Sequence, residues 1–213
     1  VSLKNFDFVL VPEHDNLQGK NVISTKGALH YLTMQEIDEN RSYLEGKINK
    51  KKDIIILILG GPTKYYKYTN ENIQKIYKNL NENINKNNLQ LVVIPSIRTP
   101  AETIKLAKEY FGSDHLIIDN VDKKAYLSAL SLAKFIVVTC DSISMISEAS
   151  LTGKPIYVAQ ISTSKNDYRF KKFRDLFTKL NIIKKLDKNL EDWTYKKLDE
   201  TNRIAKEIKE KIY

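Results

Sequence analysis

The sequence has little of what marks secreted or membrane-spanning proteins. Its 213 residues include a single cysteine, Cys140, which excludes an internal disulfide and favours a reducing, cytoplasmic location. No apolar run approaches the roughly 18 residues that a membrane-spanning helix needs, and Ile54–Leu59 is far too short. With seven glycines, five prolines and 42% hydrophobic residues, the composition is that of an ordinary globular protein.

The sequence also has fewer acidic than basic residues. It has 26 aspartates and glutamates and 35 lysines and arginines, which gives a net charge of +9. The positive charge is spread over predicted helix faces without a stripe of interleaved aromatics, so nucleic acid is not an expected partner. Contact with an anionic membrane surface, peripheral to the membrane, or with an anionic small molecule fits the charge better. No cluster of His, Cys and carboxylates has metal-site spacing, so we expect neither a metal nor another cofactor.

Strand-like and helix-like segments alternate from Asp53 to the end of the chain. Continuous β-branched runs separated by helical patterns predict an α/β fold over residues 51–213, a Rossmann-like parallel sheet with helices on both faces. Residues 1–50 do not fit this pattern. We expect them to be the tail of a preceding N-terminal domain plus a connecting helix, Thr33 to Leu44, and the whole chain to be one half of a larger protein.

Ligands of an open parallel sheet gather at the carboxyl ends of its strands, and two predicted strand ends carry suggestive residues. Gly60 and Gly61 follow a strand and allow a tight turn whose N–H groups face an anion, although a plain turn explains them equally well. Arg98 precedes a predicted helix and offers a planar fork for a phosphate, with a solvated surface arginine as the alternative.

A third strand end, at residues 139–142, opens a helix that carries several polar side chains. Asp141 is expected to be its N-cap, and the hydroxyls of Ser142 and Ser144 with the helix dipole are expected to bind an anion. Asp141, Ser144 and Glu148 share one helical face, which places Glu148 to accept hydrogen bonds from two vicinal ribose hydroxyls. The alternative is a capped helix with a solvated glutamate.

These residues resemble a known pattern. The run from Asp141 to Pro155 resembles the C-terminal, donor-binding half of GT-B glycosyltransferases and of non-hydrolysing nucleotide-sugar epimerases. A closer resemblance, over nearly the whole chain, is to the mitochondrial-fission (elongated-mitochondria) family. It is carried by these phrases in this order: Val11-Pro12-Glu13-His14-Asp15, Thr25-Lys26-Gly27-Ala28-Leu29-His30, Gly60-Gly61-Pro62, Ser96-Ile97-Arg98-Thr99-Pro100, Thr139 to Ala149, Gly153-Lys154-Pro155 and Leu198-Asp199-Glu200-Thr201.

The resemblance implies a nucleoside-diphosphate sugar as substrate, with the serine region on the diphosphate and Glu148 on the ribose. The family usually has paired arginines before the Thr-Pro, but Ile97 takes one of those places, which reduces the clamp to Arg98. In a GT-B enzyme Glu13, His14 and Asp15 would face the cleft and offer a general base for an acceptor hydroxyl. Turn residues at a strand end are the equal alternative for these three.

Three functions remain open at this point. A glycosyltransferase with an unknown acceptor, such as a membrane lipid, is the preferred interpretation. The alternatives are a nucleoside-diphosphate-sugar epimerase, which needs the same nucleotide site, and a non-catalytic adaptor in membrane or organelle division with a protein partner. His30 and His115 are interpreted as ordinary surface or boundary residues.

Overall fold

The computed structural model describes residues 2–212; Val1 and Tyr213, which end the two predicted domain ranges, lie outside the described residues. In chain order the elements are β1 (Val9–Pro12), β2 (Val22–Thr25), α1 (Met34–Glu39), α2 (Ser42–Glu45), β3 (Ile54–Leu59), α3 (Asn70–Asn87), β4 (Gln90–Pro95), α4 (Ala101–Phe111), β5 (Leu116–Ile117), α5 (Lys123–Leu132), β6 (Ala133–Thr139), α6 (Ile143–Ser150), β7 (Ile156–Ala159), α7 (Tyr168–Lys179), β8 (Ile183–Lys185) and α8 (Glu200–Ile212).

Six parallel strands form the main sheet in the order β5-β4-β3-β6-β7-β8. Every residue of β3 and β4 is buried, as expected for strands covered on both faces. The order matches the doubly wound arrangement, in which the strand order reverses between the first and fourth strands of the sheet, here β3 and β6. The predicted α/β class with a Rossmann-like sheet is confirmed.

Helix α3 illustrates how local sequence sets the elements that cover the sheet. Its N-cap Thr69 accepts a hydrogen bond from the N–H of Asn72, and its C-cap Asn88 takes a left-handed conformation with φ of 50°. Between these caps, apolar side chains recur at helical spacing and form the buried face: Ile73, Ile76, Tyr77, Leu80 and Ile84.

Residues before β3 build a small second layer. Strands β1 and β2 pair in parallel as a separate two-stranded sheet, and α1 and α2 pack against α5. Thr33 is the N-cap of α1, as predicted. The division of the chain into domains at residue 50 stays a prediction.

The single helix predicted from Thr33 to Leu44 is wrong, because the chain forms two short helices with a break after Asn40. A side chain of α5 stabilises the second of these helices, α2. Ser128 Oγ donates to the carbonyl of Arg41 at 2.7 Å and accepts from the N–H of Leu44 at 3.1 Å. Tertiary contacts thus replace the intrahelical bonds that the pattern implies.

Within residues 2–212, no helix has both the length and the apolar character to pass through a bilayer.

Candidate functional site

A cavity of about 510 Å³ opens at the carboxyl edge of the sheet, over β3 and β4. Its walls are residues 29–32, the end of β4 with residues 96 and 97, the start of α5 with the loop before it, and one face of α6. This is the edge at which ligands bind in open α/β sheets, beside the point where strand order reverses. Of the predicted substrate residues, Ser144 and Glu148 line it.

The first turn of α6 faces this cavity. Ser142, not Asp141, is the N-cap, and its hydroxyl accepts from the N–H of Met145 at 3.3 Å, so the predicted capping role of Asp141 is wrong. A helix leaves the N–H groups of its first turn without intrahelical acceptors, and the Ser142 cap takes only that of Met145. Within residues 2–212 the N–H groups of Ile143 and Ser144 have no acceptor, and they lie at the positive end of the helix dipole.

Glu148 is held by a tyrosine of the neighbouring helix. The hydroxyl of Tyr126 donates to Glu148 Oε2 at 2.6 Å, and both side chains line the cavity. Burial, with the adjacent Glu148 carboxylate, raises the pKa of Tyr126 well above its usual value, so the hydroxyl keeps its proton and remains a donor. The second carboxylate oxygen, Oε1, accepts no hydrogen bond from residues 2–212. Sequence reasoning missed Tyr126 because the pattern of α5 marks it only as one residue of an amphipathic helix.

We expect Tyr126→Phe to lower affinity for a ligand of Glu148 several-fold while changing the free energy of unfolding by no more than about 1 kcal/mol. The variant removes the hydroxyl that orients the carboxylate but keeps the ring, and Glu148 can still be solvated through the cavity. Parallel binding and denaturant titrations check this. A stability loss as large as the affinity loss would assign Tyr126 to the core instead of the site.

Asp141 belongs to a different, buried network. Its carboxylate accepts from the N–H of Gly61 at 3.0 Å, from the hydroxyl of Tyr68 at 2.7 Å and from Arg98 at 3.1 Å. The N–H of Gly60 is likewise bonded, to Thr139 Oγ1 at 2.8 Å. Asp141 therefore does not share the exposed face of Ser144 and Glu148.

Two expectations about the glycine loop change with this network. The idea that Gly60 and Gly61 present free N–H groups to an anion is wrong, because both groups have protein acceptors. The glycines are needed for close approach instead, since a Cβ on Gly60 would lie 2.1 Å from Asp141 Oδ2. The Arg98 side chain, which is 41% exposed, donates to the Asp141 carboxylate and to the carbonyl of Gly61. Binding of a phosphate by Arg98 stays a prediction.

The wall formed by residues 29–32 is tied to the last helix of the fold. Glu200 accepts from the N–H of Lys26 at 2.6 Å, and Thr201 Oγ1 both accepts from the N–H of His30 at 3.1 Å and donates to its carbonyl. His30 itself lines the cavity, and its Nδ1 is buried with no hydrogen-bond partner among residues 2–212. His30 is half-buried, which agrees with its interpretation as a surface or boundary residue, but its place in the cavity wall was not expected.

Helix α6 fixes the same segment from the other side. The N–H of Ala28 donates to Ser147 Oγ at 2.9 Å, and a Cβ on Gly27 would lie 2.8 Å from that oxygen. Residue 27 must be glycine for the segment to lie this close to α6. Three stretches that the sequence singled out, residues 25–30, 139–149 and 198–201, thus meet at one wall of the cavity.

Thr201→Val tests this anchor. We expect a loss of about 1–2 kcal/mol in the free energy of unfolding, since the isosteric side chain leaves the partly buried N–H and carbonyl of His30 unpaired. Thr178→Val, at an exposed position of α7, is the matched control and should cost little. Denaturant titration measures both, and equal losses in the two variants would contradict a specific anchor.

The residues predicted as a general base lie elsewhere. Glu13, His14 and Asp15 form a turn after β1, and none of the three lines the cavity. Asp15 accepts two hydrogen bonds from Arg169, at 2.9 and 2.8 Å, while the His14 ring, 4% exposed, packs edge-on against Phe173. Their expected place at the cleft of a two-domain GT-B enzyme, and their role as a general base there, stay predictions.

Comparison with known proteins places this site in context. The family model for mitochondrial fission ELM1 matches residues 1–212. The chain belongs to this family. It is 22% identical to the mitochondrial fission protein ELM1 of Arabidopsis thaliana over 99% of the chain and 55% of that protein. It is 28% identical to the uncharacterized protein RP120 of Rickettsia prowazekii over 92% of the chain and 57% of that protein.

The ELM1-family chain therefore spans about half the length of the curated relatives it matches. Among solved structures it is similar to S. aureus MnaA, determined with UDP, at a TM-score of 0.50 and 17% identity. That match covers 93% of this chain and 49% of MnaA. The likeness shows that the chain shares its α/β fold with about half of MnaA.

Proposed function

We propose that the cavity binds the nucleoside diphosphate of a nucleotide sugar, and that the protein transfers the sugar to an acceptor hydroxyl. The observation that carries this proposal is the Glu148 carboxylate, held at 2.6 Å by Tyr126 in the wall of a cavity at the carboxyl edge of the sheet. A fixed carboxylate acceptor suits two vicinal hydroxyls of a ribose.

The diphosphate would lie against the first turn of α6. Its oxygens would accept from the N–H groups of Ile143 and Ser144, with the Ser144 hydroxyl as a further donor. Negative charge that develops on the departing diphosphate would be stabilised there by the helix dipole and by the exposed N–H groups of Arg98.

The base of the nucleotide would occupy the apolar part of the cavity. Tyr31 and Ile97 are 82% and 89% exposed, and with Leu29 and Val121 they form an apolar rim beside Pro95. Large apolar side chains with this exposure are typical of ligand sites, because a planar base can cover them.

His14 is the proposed catalytic base, and the proposed acceptor lies at a membrane surface. Burial, only partly offset by Asp15, lowers the pKa of His14, so its ring is neutral near pH 7 as a general base requires. Use of His14 would need its ring to move away from Phe173. The net charge of +9 favours an acceptor at an anionic membrane surface, reached by the protein from the cytoplasm.

Calorimetric titration with UDP, GDP, ADP and CDP tests the binding step, and we expect one of them to bind. A nucleotide sugar built on the nucleotide that binds, with a label in its sugar, then tests the chemistry. Label transferred to an acceptor supports a glycosyltransferase, whereas an altered free nucleotide sugar identifies an epimerase. Absence of binding to all four would contradict the proposal and favour the adaptor function.

A further inference from the structure

A second cavity, of about 510 Å³, lies at the opposite edge of the sheet from the candidate site. It is lined by Ile54 and Ala133, the first residues of β3 and β6, together with the loop before β3 and the end of α5. The two cavities share no lining residue, so this one is separate from the proposed nucleotide site.

Basic side chains dominate this second cavity. Five of them line it: Arg41, Lys50, Lys52, Lys134 and Lys154. Its two acids are both paired, Glu45 with Arg41 at 3.1 Å and Asp53 with Lys134 at 2.7 Å.

The remaining three cations, Lys50, Lys52 and Lys154, have no carboxylate partner among residues 2–212. Three uncompensated positive charges around one concavity favour an anionic ligand of about two negative charges.

Lys154 gives this cavity a recessed donor. Its ammonium donates to the carbonyls of Leu130 and Ser131, at 2.8 and 2.6 Å, at the end of α5. An ammonium has three N–H groups, so one donor remains after these two bonds. Arg41 donates to the same Ser131 carbonyl at 3.0 Å, which brings its guanidinium beside the ammonium.

The surroundings of Lys154 also disfavour its charge. Burial, followed by repulsion from Arg41, lowers the pKa of Lys154 to about 8, with Asp38 acting in the opposite direction and Lys197 in the same one. A bound anion would supply the missing negative charge and raise this pKa again. The arrangement of donors around the cavity is thus incomplete without one.

We propose that this second cavity is a binding site for a phosphomonoester or inorganic phosphate, with Lys154 as its innermost donor and Lys50 and Lys52 at its rim. All three lysines line one concavity, whose volume of about 510 Å³ is ample for a small dianion. The phosphate group can come from a soluble molecule or from a lipid headgroup, and both present the same oxygens.

The test is a titration of the full chain with inorganic phosphate, followed by NMR of the lysine ¹³Cε signals at pH 8. We expect the Lys154 signal to move toward its protonated position and to saturate. Lys154→Met should weaken phosphate binding by about tenfold or more, while Lys78→Met, at an exposed position of α3 that removes the same charge, should leave it unchanged.

A substitute variant and a vesicle assay complete the test. If Lys154→Met fails to fold, the Lys50→Met/Lys52→Met variant takes its place, with the same expected loss. Sedimentation with phosphatidic acid vesicles, compared with phosphatidylcholine vesicles, separates the sources: capture that depends on Lys154 but not Lys78 identifies a headgroup. If the Lys154 signal shows no saturable shift with phosphate and the vesicles show no Lys154-dependent capture, the site is overturned. Equal losses of phosphate binding in Lys154→Met and Lys78→Met would overturn it as well.

Discussion

Glu148→Ala is expected to weaken nucleoside diphosphate binding by roughly 10- to 150-fold. One hydrogen bond to a charged acceptor contributes about 1.5–3 kcal/mol, and each 1.4 kcal/mol is a factor of ten in affinity. Glu148 lines the cavity, and Tyr126 holds one of its carboxylate oxygens at 2.6 Å. Calorimetry with the nucleotide that binds the unmodified protein measures the loss.

Glu148→Gln separates the ligand's bonds from the structural one. Its amide oxygen still accepts from Tyr126, so the fold should be unchanged, but a neutral amide is a weaker partner for two ribose hydroxyls. We expect an affinity between those of the unmodified protein and Glu148→Ala. If both variants bind the nucleotide as the unmodified protein does, Glu148 is not a ligand-binding residue.

Gly61→Ala has the largest expected effect on stability. A Cβ at this position would lie 2.1 Å from the carbonyl oxygen of Arg98, and backbone cannot rotate away as a flexible side chain can. Relief of the clash would pull Gly61 from Asp141, whose buried carboxylate would lose the 3.0 Å bond to its N–H. We expect a loss of about 3 kcal/mol, at the upper end of the usual cost of overpacking.

Gly46→Ala is the matched control for this prediction. Nothing lies within 4 Å of a Cβ there, and the φ of −77° suits any residue, so the free energy of unfolding should change by about 1 kcal/mol at most. Urea titrations of the two variants provide the comparison. Equal stability of the two would contradict the close packing of the glycine loop against Arg98.

The sheet and the helix at residues 143–150 could be predicted because their signals are local. The apolar run Ile54–Leu59 suffices to predict a strand buried on both faces, and Ser144 and Glu148 lie on one exposed helical face by spacing alone. The N-cap was misplaced by one residue. Aspartate and serine cap helices about equally well, so local preference cannot choose between Asp141 and Ser142.

What the sequence could not provide was the pairing of side chains across elements. The bond between Tyr126 and Glu148 joins residues 22 apart on different helices, and that between Lys26 and Glu200 joins residues 174 apart. Each depends on how helices pack on the finished sheet, which propensity does not encode. The same holds for Asp141. Its carboxylate is bound in a buried network with Gly61, Tyr68 and Arg98, so it does not share the helical face of Ser144 and Glu148.

The central claim is that the cavity at the carboxyl edge of the sheet holds a nucleoside diphosphate. The chain has two methionines, Met34 and Met145, and only Met145 lines that cavity. NMR of protein labelled with ¹³C at the methionine methyls, titrated with the nucleotide that binds in calorimetry, therefore reports on the site directly. We predict a Met145 signal that shifts and saturates with the calorimetric affinity, and whose midpoint in Glu148→Ala moves to roughly 10- to 150-fold higher nucleotide concentration. A Met145 signal unmoved at saturating nucleotide would contradict the claim.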